Sequence, residues 1–261
     1  MILECCALCF SYNGHKVLND ISFKTQQGSF CAILGRNGSG KTTLIHCLNK
    51  ILTPASGQIL LHGRDITSFS RSDIARQISL VPQEHLDIFP YKVIDVIIMG
   101  RAPFLKIAES PGENDYEIGI NALKELNIEH LANKNFNRIS GGERQITLLA
   151  RALAQTTKIM LLDEPTNHLD FNNQYHLLSS IKKLCESKGL NIIASMHDPN
   201  MAAVFADNVI MIKNGKIMVQ GGAQSVMNQE NISKLYDTDA SEIFINTTKK
   251  FFLPSYIIKD C

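Results

Sequence analysis

Residues 35–42 read GRNGSGKT and match the pattern G-x-x-x-x-G-K-[ST] of a phosphate-binding loop. The apolar segment 30–34 stands directly before this loop, and a helical pattern begins at residue 43. A strand that leads through a glycine loop into a helix presents free backbone N–H groups and the positive end of the helix dipole to an anion. The spacing therefore predicts a site for the phosphates of a nucleotide.

Individual positions of this loop have predicted tasks. Glycines at 35, 38 and 40 let the backbone approach the phosphates because no Cβ stands in the way. We expect Lys41 to reach the terminal phosphates and the Thr42 hydroxyl to hold Mg²⁺. The predicted nucleotide-binding residues of this segment are Gly35, Asn37, Gly38, Ser39, Gly40, Lys41, Thr42 and Thr43.

The composition narrows the classes of function. The 26 Lys and Arg residues nearly balance 25 Asp and Glu residues, so a formal net charge of +1 gives no argument for binding nucleic acid or an anionic membrane surface. The sequence has no apolar run of the ~18 residues that a membrane helix needs, and the start MILE lacks the features of a signal peptide. We expect a soluble chain that reaches a membrane only through a partner.

The seven cysteines are odd in number and scattered, which fits free thiols in a reducing cytoplasm. Cys6 and Cys9 form a C-x-x-C pair. A strand turns positions i and i+3 to opposite faces, and no second ligand pair follows, which disfavours a metal or redox site.

Turn signals and periodicity outline the chain. Segments 3–10 and 17–23 read as strands, and Asn13-Gly14 between them is a hairpin turn signal. Residues from Gln83 to about 155 have mostly helical spacing, whereas strands alternate with helices from 159 onward. Asn214-Gly215 marks a second hairpin. The pattern predicts an α/β core with a helical insertion.

Two acids end an apolar strand over residues 159–164, IMLLDE. A buried strand delivers such carboxylates to the sheet edge where the phosphate loop also opens. We expect Asp163 to complete the Mg²⁺ shell and Glu164 to polarise the attacking water.

Residues Ser140, Gly141, Gly142 and Glu143 precede an amphipathic helix whose apolar positions fall at i, i+3, i+4 and i+7. Ser140 and the glycines supply a cap and exposed N–H groups. The segment reads either as an ordinary capped helix or as a second anion site, about 100 residues after the first.

Residues 138–145, RISGGERQ, are similar to the LSGGQ signature of the nucleotide-binding subunits of ABC transporters. The phosphate loop, signature and Asp-Glu strand occur in that family's order and spacing, and the resemblance runs over about residues 3–222. Four further positions match the family: Tyr12, Gln83, Asp170 in EPTNHLD, and His197. The signature departs from the pattern mildly, at Ile139 and Glu143.

The resemblance implies a P-loop NTPase (RecA-like) α/β core with an N-terminal antiparallel β-subdomain and an α-helical subdomain inserted at about 84–155. The ATPase domain would cover 1–240, and 241–261 would form a short tail. The chain would bind ATP and Mg²⁺. The residues predicted at the metal are Thr42, Gln83 and Asp163. Glu164 would be the base, Gln83 would sense the metal and water, and His197 would hold the γ-phosphate and orient Glu164.

The same resemblance implies a head-to-tail homodimer with two interfacial ATP sites. Each site would take its phosphate loop from one chain and its signature from the other. Tyr12 would stack on adenine, and Asp170 would also belong to the nucleotide site. The predicted binding residues of the signature are Ser140, Gly141, Gly142 and Glu143.

Residues 93–105, VIDVIIMGRAPFL, resemble the importer group for iron–siderophore complexes, haem and cobalamin. The partners implied are a membrane permease dimer and, indirectly, a substrate-binding protein, with this chain peripheral on the cytoplasmic face of the inner membrane and no nucleic acid bound. Residues of this stretch also read as core of the helical lobe. A zinc, manganese or molybdate importer is an alternative, and a non-transport ABC ATPase a less favoured one. A phosphoryl-transfer kinase would leave the signature unexplained.

Overall fold

A computed structural model describes residues 2–83, 90–244 and 250–259 of the chain. The chain begins with an antiparallel sheet in the order β2-β1-β4-β5. Its strands are β1 Leu3–Tyr12, β2 His15–Lys24, β4 Ser56–Leu61 and β5 Arg64–Asp65. Asn13 (φ 47°) and Gly14 (φ 82°) join β1 to β2 with the paired positive φ angles of a type I′ turn, which confirms the predicted hairpin.

The central sheet has the order β10-β9-β3-β8-β7-β6. Its strands are β3 Phe30–Leu34, β6 Ile78–Val81, β7 Ile159–Asp163, β8 Asn191–Met196, β9 Asn208–Lys213 and β10 Lys216–Gly222. The strands β6, β7, β8, β3 and β9 are parallel, and β10 returns antiparallel through the predicted Asn214-Gly215 hairpin. Because β3, β7 and β8 are neighbours in register, their carboxyl ends meet at one edge.

Helical structure predominates between residue 90 and Gln155, the described part of the stretch predicted to be helical. Its helices are α3 Val93–Ile98, α4 Glu113–Glu125 and α5 Gly141–Ala154, and the predicted start of the insertion at residue 84 lies outside the described residues. Val93 and Val96 are fully buried, whereas Met99 is 41% exposed. Arg101 stabilises the lobe because it donates to Asp115 at 2.9 Å and to the Ala154 carbonyl at 3.0 Å.

The remaining elements cover the sheet and close the C-terminal part. They are α1 Lys41–Leu48, α2 Arg71–Ala75, α6 Phe171–Lys188, α7 Pro199–Phe205, α8 Ala223–Val226, α9 Gln229–Tyr236, β11 Ala240–Phe244, β12 Lys250–Pro254 and α10 Ser255–Lys259. β11 and β12 pair antiparallel as a separate ribbon. Phe252 of this ribbon is only 4% exposed and packs into the main core. The C-terminal segment is thus docked on the main core.

The described part of the chain has neither a membrane-spanning helix nor a disulfide. Within 2–83, 90–244 and 250–259, no helix has the length and apolar character required to span a bilayer. The cysteines of these ranges are unbridged. Burial raises the pKa of Cys31 and Cys47 to about 12, so these two thiols stay protonated near neutral pH.

Candidate functional site

The phosphate-binding loop lies between the end of β3 and the start of α1. Gly40 precedes α1 with φ 102°, a conformation that L side chains rarely adopt. A Cβ at Gly40 would stand 2.7 Å from the Leu18 side chain, and a Cβ at Gly35 would stand 2.5 Å from the Ile212 carbonyl oxygen. The loop is therefore seated tightly against β2 and β9, so both positions require glycine.

Lys41 is 4% exposed, and its ammonium is held by the loop itself. Nζ donates to the carbonyl oxygens of Gly35 at 2.9 Å and Arg36 at 3.2 Å. It also lies 3.5 Å from Oε1 of Glu164. These contacts fix the ammonium beside the N-terminus of α1. The positive charge of the ammonium and the free N–H groups of the helix N-terminus both favour binding of a phosphate.

The carboxylate of Asp163, at the end of β7, is buried and accepts two hydroxyl hydrogen bonds. Thr42 Oγ1 donates to Oδ1 at 3.1 Å and Ser195 Oγ donates to the same oxygen at 2.6 Å. The predicted metal residues Thr42 and Asp163 are therefore neighbours. Their hard oxygen ligands suit Mg²⁺, which commonly uses one or two carboxylates together with phosphate oxygens.

Glu164 follows with φ 45°, so its backbone is in the left-handed region that non-glycine residues seldom occupy. Its amide donates to Ser195 Oγ at 2.8 Å. Its Oε2 accepts from Gln83 Nε2 at 3.0 Å and from Asn167 Nδ2 at 3.4 Å. The predicted base and the predicted sensing glutamine are in direct contact.

These groups surround one cleft of about 520 Å³. Its lining residues are Val17, Asn37, Gly38, Gly40, Lys41, Thr42, Thr43, Gln83, Glu164, Asn167 and His197. The structure therefore brings together the phosphate loop, Gln83, Glu164 and His197, which was predicted to hold the γ-phosphate. A cleft of about 650 Å³ lies elsewhere, lined by residues of β1, β2, β9 and β10, and it contains no predicted site residue.

Tyr12, at the end of β1, does not line the cleft. It is 47% exposed, and its ring packs edge-on against Phe10 with 4.8 Å between the ring centroids. About half of the Tyr12 surface is therefore accessible, and an accessible aromatic ring can stack with a flat ligand.

The signature segment also lies outside this cleft. Ser140 caps α5, with its Oγ accepting from the Glu143 amide at 3.3 Å, while Glu143 Oε2 accepts from the Ser140 amide at 2.8 Å. Hydrogen bonds that the Glu143 carboxylate receives from Ser140, first from its backbone amide and then from its side chain, lower the pKa of Glu143. The arrangement is a capping box, so the capped helix predicted as one reading is present.

Asp170 lies beside the signature rather than in the cleft. It caps α6 by accepting from the Asn173 amide at 2.8 Å and from Asn173 Nδ2 at 3.0 Å. A Cβ at Gly142 would stand 2.8 Å from that same Nδ2. Asp170 and the signature therefore form a second polar region within the described chain.

Two polar residues that contact the acids of the site were not predicted from the sequence. Asn167 donates to Glu164, and Ser195 joins Asp163 to the Glu164 amide. The one available signal for Ser195 was a polar residue at the end of an otherwise apolar strand. Asn167 lies three residues after Glu164 in the segment EPTN, but nothing in the sequence pattern predicts that its side chain contacts Glu164.

Comparison with known proteins gives a consistent result. The family model described as ABC transporter matches residues 18–167. The chain is 36% identical over 245 residues to "Probable iron chelatin transport ATP-binding protein" of Helicobacter pylori, covering 94% of this chain and 96% of that protein. It is 34% identical over 229 residues to the ferric enterobactin transport ATP-binding protein of Escherichia coli, covering 88% of this chain and 79% of that one.

Among solved structures, a chain described as belonging to a metal-chelate type ABC transporter in an inward-facing conformation superposes with a TM-score of 0.86. The two chains are 31% identical, and the match covers 97% of each. The likeness therefore includes the C-terminal segment beyond the residues that the family model matches.

Proposed function

This chain belongs to the ABC transporter family as an ATP-binding, ATP-hydrolysing subunit, and from that premise we propose that it powers the uptake of an iron chelate through a separate membrane permease. One observation carries the catalytic part of the proposal. Lys41 and Gln83 both contact Glu164 beside the phosphate loop, so a cation, a carboxylate and a polar amide face one cleft.

The cleft residues divide the chemistry of hydrolysis between them. Loop N–H groups and Lys41 would hold the phosphates of ATP and offset the charge that develops during transfer. Glu164 would orient the attacking water and accept its proton. Gln83 contacts Glu164 and would report the state of the site, while His197, which also lines the cleft, would contact the terminal phosphate.

Thr42 and Asp163 would hold Mg²⁺. The ion would supply charge neutralisation at the phosphate oxygens. The short hydrogen bond from Ser195 fixes one Asp163 oxygen, so the carboxylate is oriented before any metal arrives.

A shared ATP site accounts for the position of the signature. The residues Ser140, Gly141, Gly142, Glu143 and Asp170 lie off the cleft of their own chain, yet the first three offer a helix N-terminus for an anion. We propose that a second copy, related by a two-fold axis, brings this surface over the phosphate loop of its partner. Tyr12 would stack on the adenine at the outer edge.

Iron chelate is the favoured class of transported substrate. Support comes from the relatives named for iron chelatin and ferric enterobactin, and from the metal-chelate type structural neighbour. The resemblance of residues 93–105 to the same importer group points in the same direction. Cobalamin or another metal or oxyanion is the alternative, because the transported substrate does not enter the cleft described above. The chain would lie peripherally on the cytoplasmic face of the inner membrane.

Uptake by whole cells tests this proposal. Cells that lack the chain would be supplied with the natural sequence, with Glu164→Gln, or with Glu186→Gln, an exposed acid on α6. We expect the natural sequence and Glu186→Gln to restore uptake of a radiolabelled ferric siderophore, and Glu164→Gln to fail. Restored cobalamin uptake without ferric siderophore uptake would overturn the substrate class.

A further inference from the structure

A hydrogen bond joins the C-terminal part of the chain to the backbone of His197. The hydroxyl of Tyr236, the last residue of α9, donates to the His197 carbonyl oxygen at 2.7 Å. The Tyr236 side chain packs against the main core. Burial raises the pKa of Tyr236, so its hydroxyl stays protonated and remains a donor at physiological pH.

The segment after His197 is held by two further sets of hydrogen bonds. Asp198 accepts from the Asn200 amide at 2.8 Å and so caps α7. The Asn200 side chain donates to the Phe252 carbonyl at 3.2 Å and accepts from the Phe252 amide at 2.7 Å. Because Phe252 is a core residue, these bonds tie α7 to the docked C-terminal ribbon. The Tyr236 bond acts directly on the backbone of the residue that lines the cleft.

Asp237, the residue after Tyr236, contacts the phosphate loop outside the cleft. It pairs with Arg36 of the phosphate loop at 3.0 Å and with Lys213 at the end of β9. The Arg36 and Asp237 side chains are more than half exposed, so this pair contributes little to stability. The contact nevertheless shows that residues 236–237 bridge the phosphate loop and the His197 loop.

We propose that Tyr236 is a positioning residue for ATP hydrolysis, which fixes the main chain at His197 so that the imidazole can reach the terminal phosphate. The inference rests on the role given to His197 in the proposed function. Tyr236 does not line the cleft, and its effect therefore passes through His197. The helix α9 is accordingly part of the catalytic unit, although it lies outside the cleft.

The substitution Tyr236→Phe tests this inference because it removes the hydroxyl and keeps the ring that packs against the core. We expect kcat for ATP hydrolysis to fall about three- to tenfold. The dissociation constant of a fluorescent ATP analogue and the melting temperature should change little. Tyr256→Phe, at an exposed tyrosine of the same C-terminal segment, is the matched control and should leave all three quantities unchanged.

The outcomes distinguish a failure of this inference from a failure of the role proposed for His197. His197→Ala, assayed in parallel, should lower kcat more strongly than Tyr236→Phe. If His197→Ala lowers kcat while Tyr236→Phe hydrolyses ATP like the natural sequence, positioning by Tyr236 is wrong and the role of His197 stands. If His197→Ala keeps full turnover, the role of His197 itself fails. A Tyr236→Phe chain whose lower activity only follows a lower melting temperature would show a structural role and also overturn the inference.

Discussion

Ser195 Oγ lies 2.6 Å from Oδ1 of Asp163 and joins the end of β8 to the end of β7. Ser195 Oγ also accepts a hydrogen bond from the Glu164 amide at 2.8 Å, at the residue where the backbone has φ 45°. A residue held in this region costs roughly 1–3 kcal/mol and persists only where its surroundings fix it. Ser195 thus orients both acids of the cleft without lining it.

Ser195→Ala should therefore affect both stability and turnover. The change leaves the partly buried Glu164 amide without its acceptor and the buried Asp163 carboxylate without one donor, so we expect a loss of about 1–3 kcal/mol in the free energy of unfolding. We also expect a lower kcat because Glu164 loses its support. Urea unfolding and phosphate release measure the two effects. Ser180→Ala is the control, at a half-buried serine of α6 whose hydroxyl donates to the His176 carbonyl at 2.9 Å; equal behaviour of the two variants would refute this role of Ser195.

Lys41→Ala and Glu164→Gln should separate binding from hydrolysis. Loss of the ammonium should abolish productive ATP binding, because no other described cation lies within the cleft lining. Glu164→Gln keeps the shape and the contact surface but cannot accept a proton, so this variant should bind ATP and accumulate as a closed dimer. Equilibrium binding and size-exclusion chromatography with ATP check these outcomes. Wild-type turnover by Glu164→Gln would show that another group is the base.

A mixture of two defective chains tests the shared site. Ser140→Arg should block the signature surface, and Lys41→Ala should disable the phosphate loop, so neither chain alone should hydrolyse ATP. Coexpressed, the two should form dimers in which the intact loop of the Ser140→Arg chain meets the intact signature of the Lys41→Ala chain. We expect ATPase activity to return in the mixed dimers. No recovery in mixed dimers isolated with two affinity tags would contradict the two-chain site.

The ion pair of Arg101 and Asp115 predicts a pH dependence in the helical region. The hydrogen bond from Arg101 is the main cause that lowers the pKa of Asp115 below its usual 3.8. A carboxyl group whose pKa is lower in the folded protein than in the unfolded chain stabilises the folded protein. This stabilisation is complete above the pKa of the unfolded state, and it is lost as the pH falls through the pKa of the folded state. Asp115→Asn should thus cost about 1–2 kcal/mol at pH 7 and progressively less below pH ~3.8.

Urea unfolding at pH 7, 4 and 3 measures this difference. Glu117→Gln is the control, because Glu117 is exposed on the same helix and its substitution likewise removes one acidic group. A cost of Asp115→Asn that stayed constant over this range would show that the charge of Asp115 is not what stabilises the lobe.

Much of the architecture was predictable because it depends on local chemistry. Two Asn-Gly pairs specify hairpins, and the glycine loop between a strand and a helix specifies the phosphate site. Ser195 and Tyr236 could not be identified in this way. Their partners lie 32 and 39 residues away in sequence, and serine or tyrosine in these positions is compatible with many structures. The parallel register of β7 and β8 places Ser195 beside Asp163, and the docking of α9 places Tyr236 beside the backbone of His197.

The central claim is that this chain is the ATP-driven subunit of a membrane importer. It is tested most directly by purifying tagged Glu164→Gln chain from its native membranes with ATP present and identifying the proteins that copurify. We predict a polytopic permease in a fixed ratio to the tagged chain, retained in ATP and depleted with Lys41→Ala. Recovery of ribosomes or DNA-repair factors without a permease would contradict the importer function and leave only the ATPase.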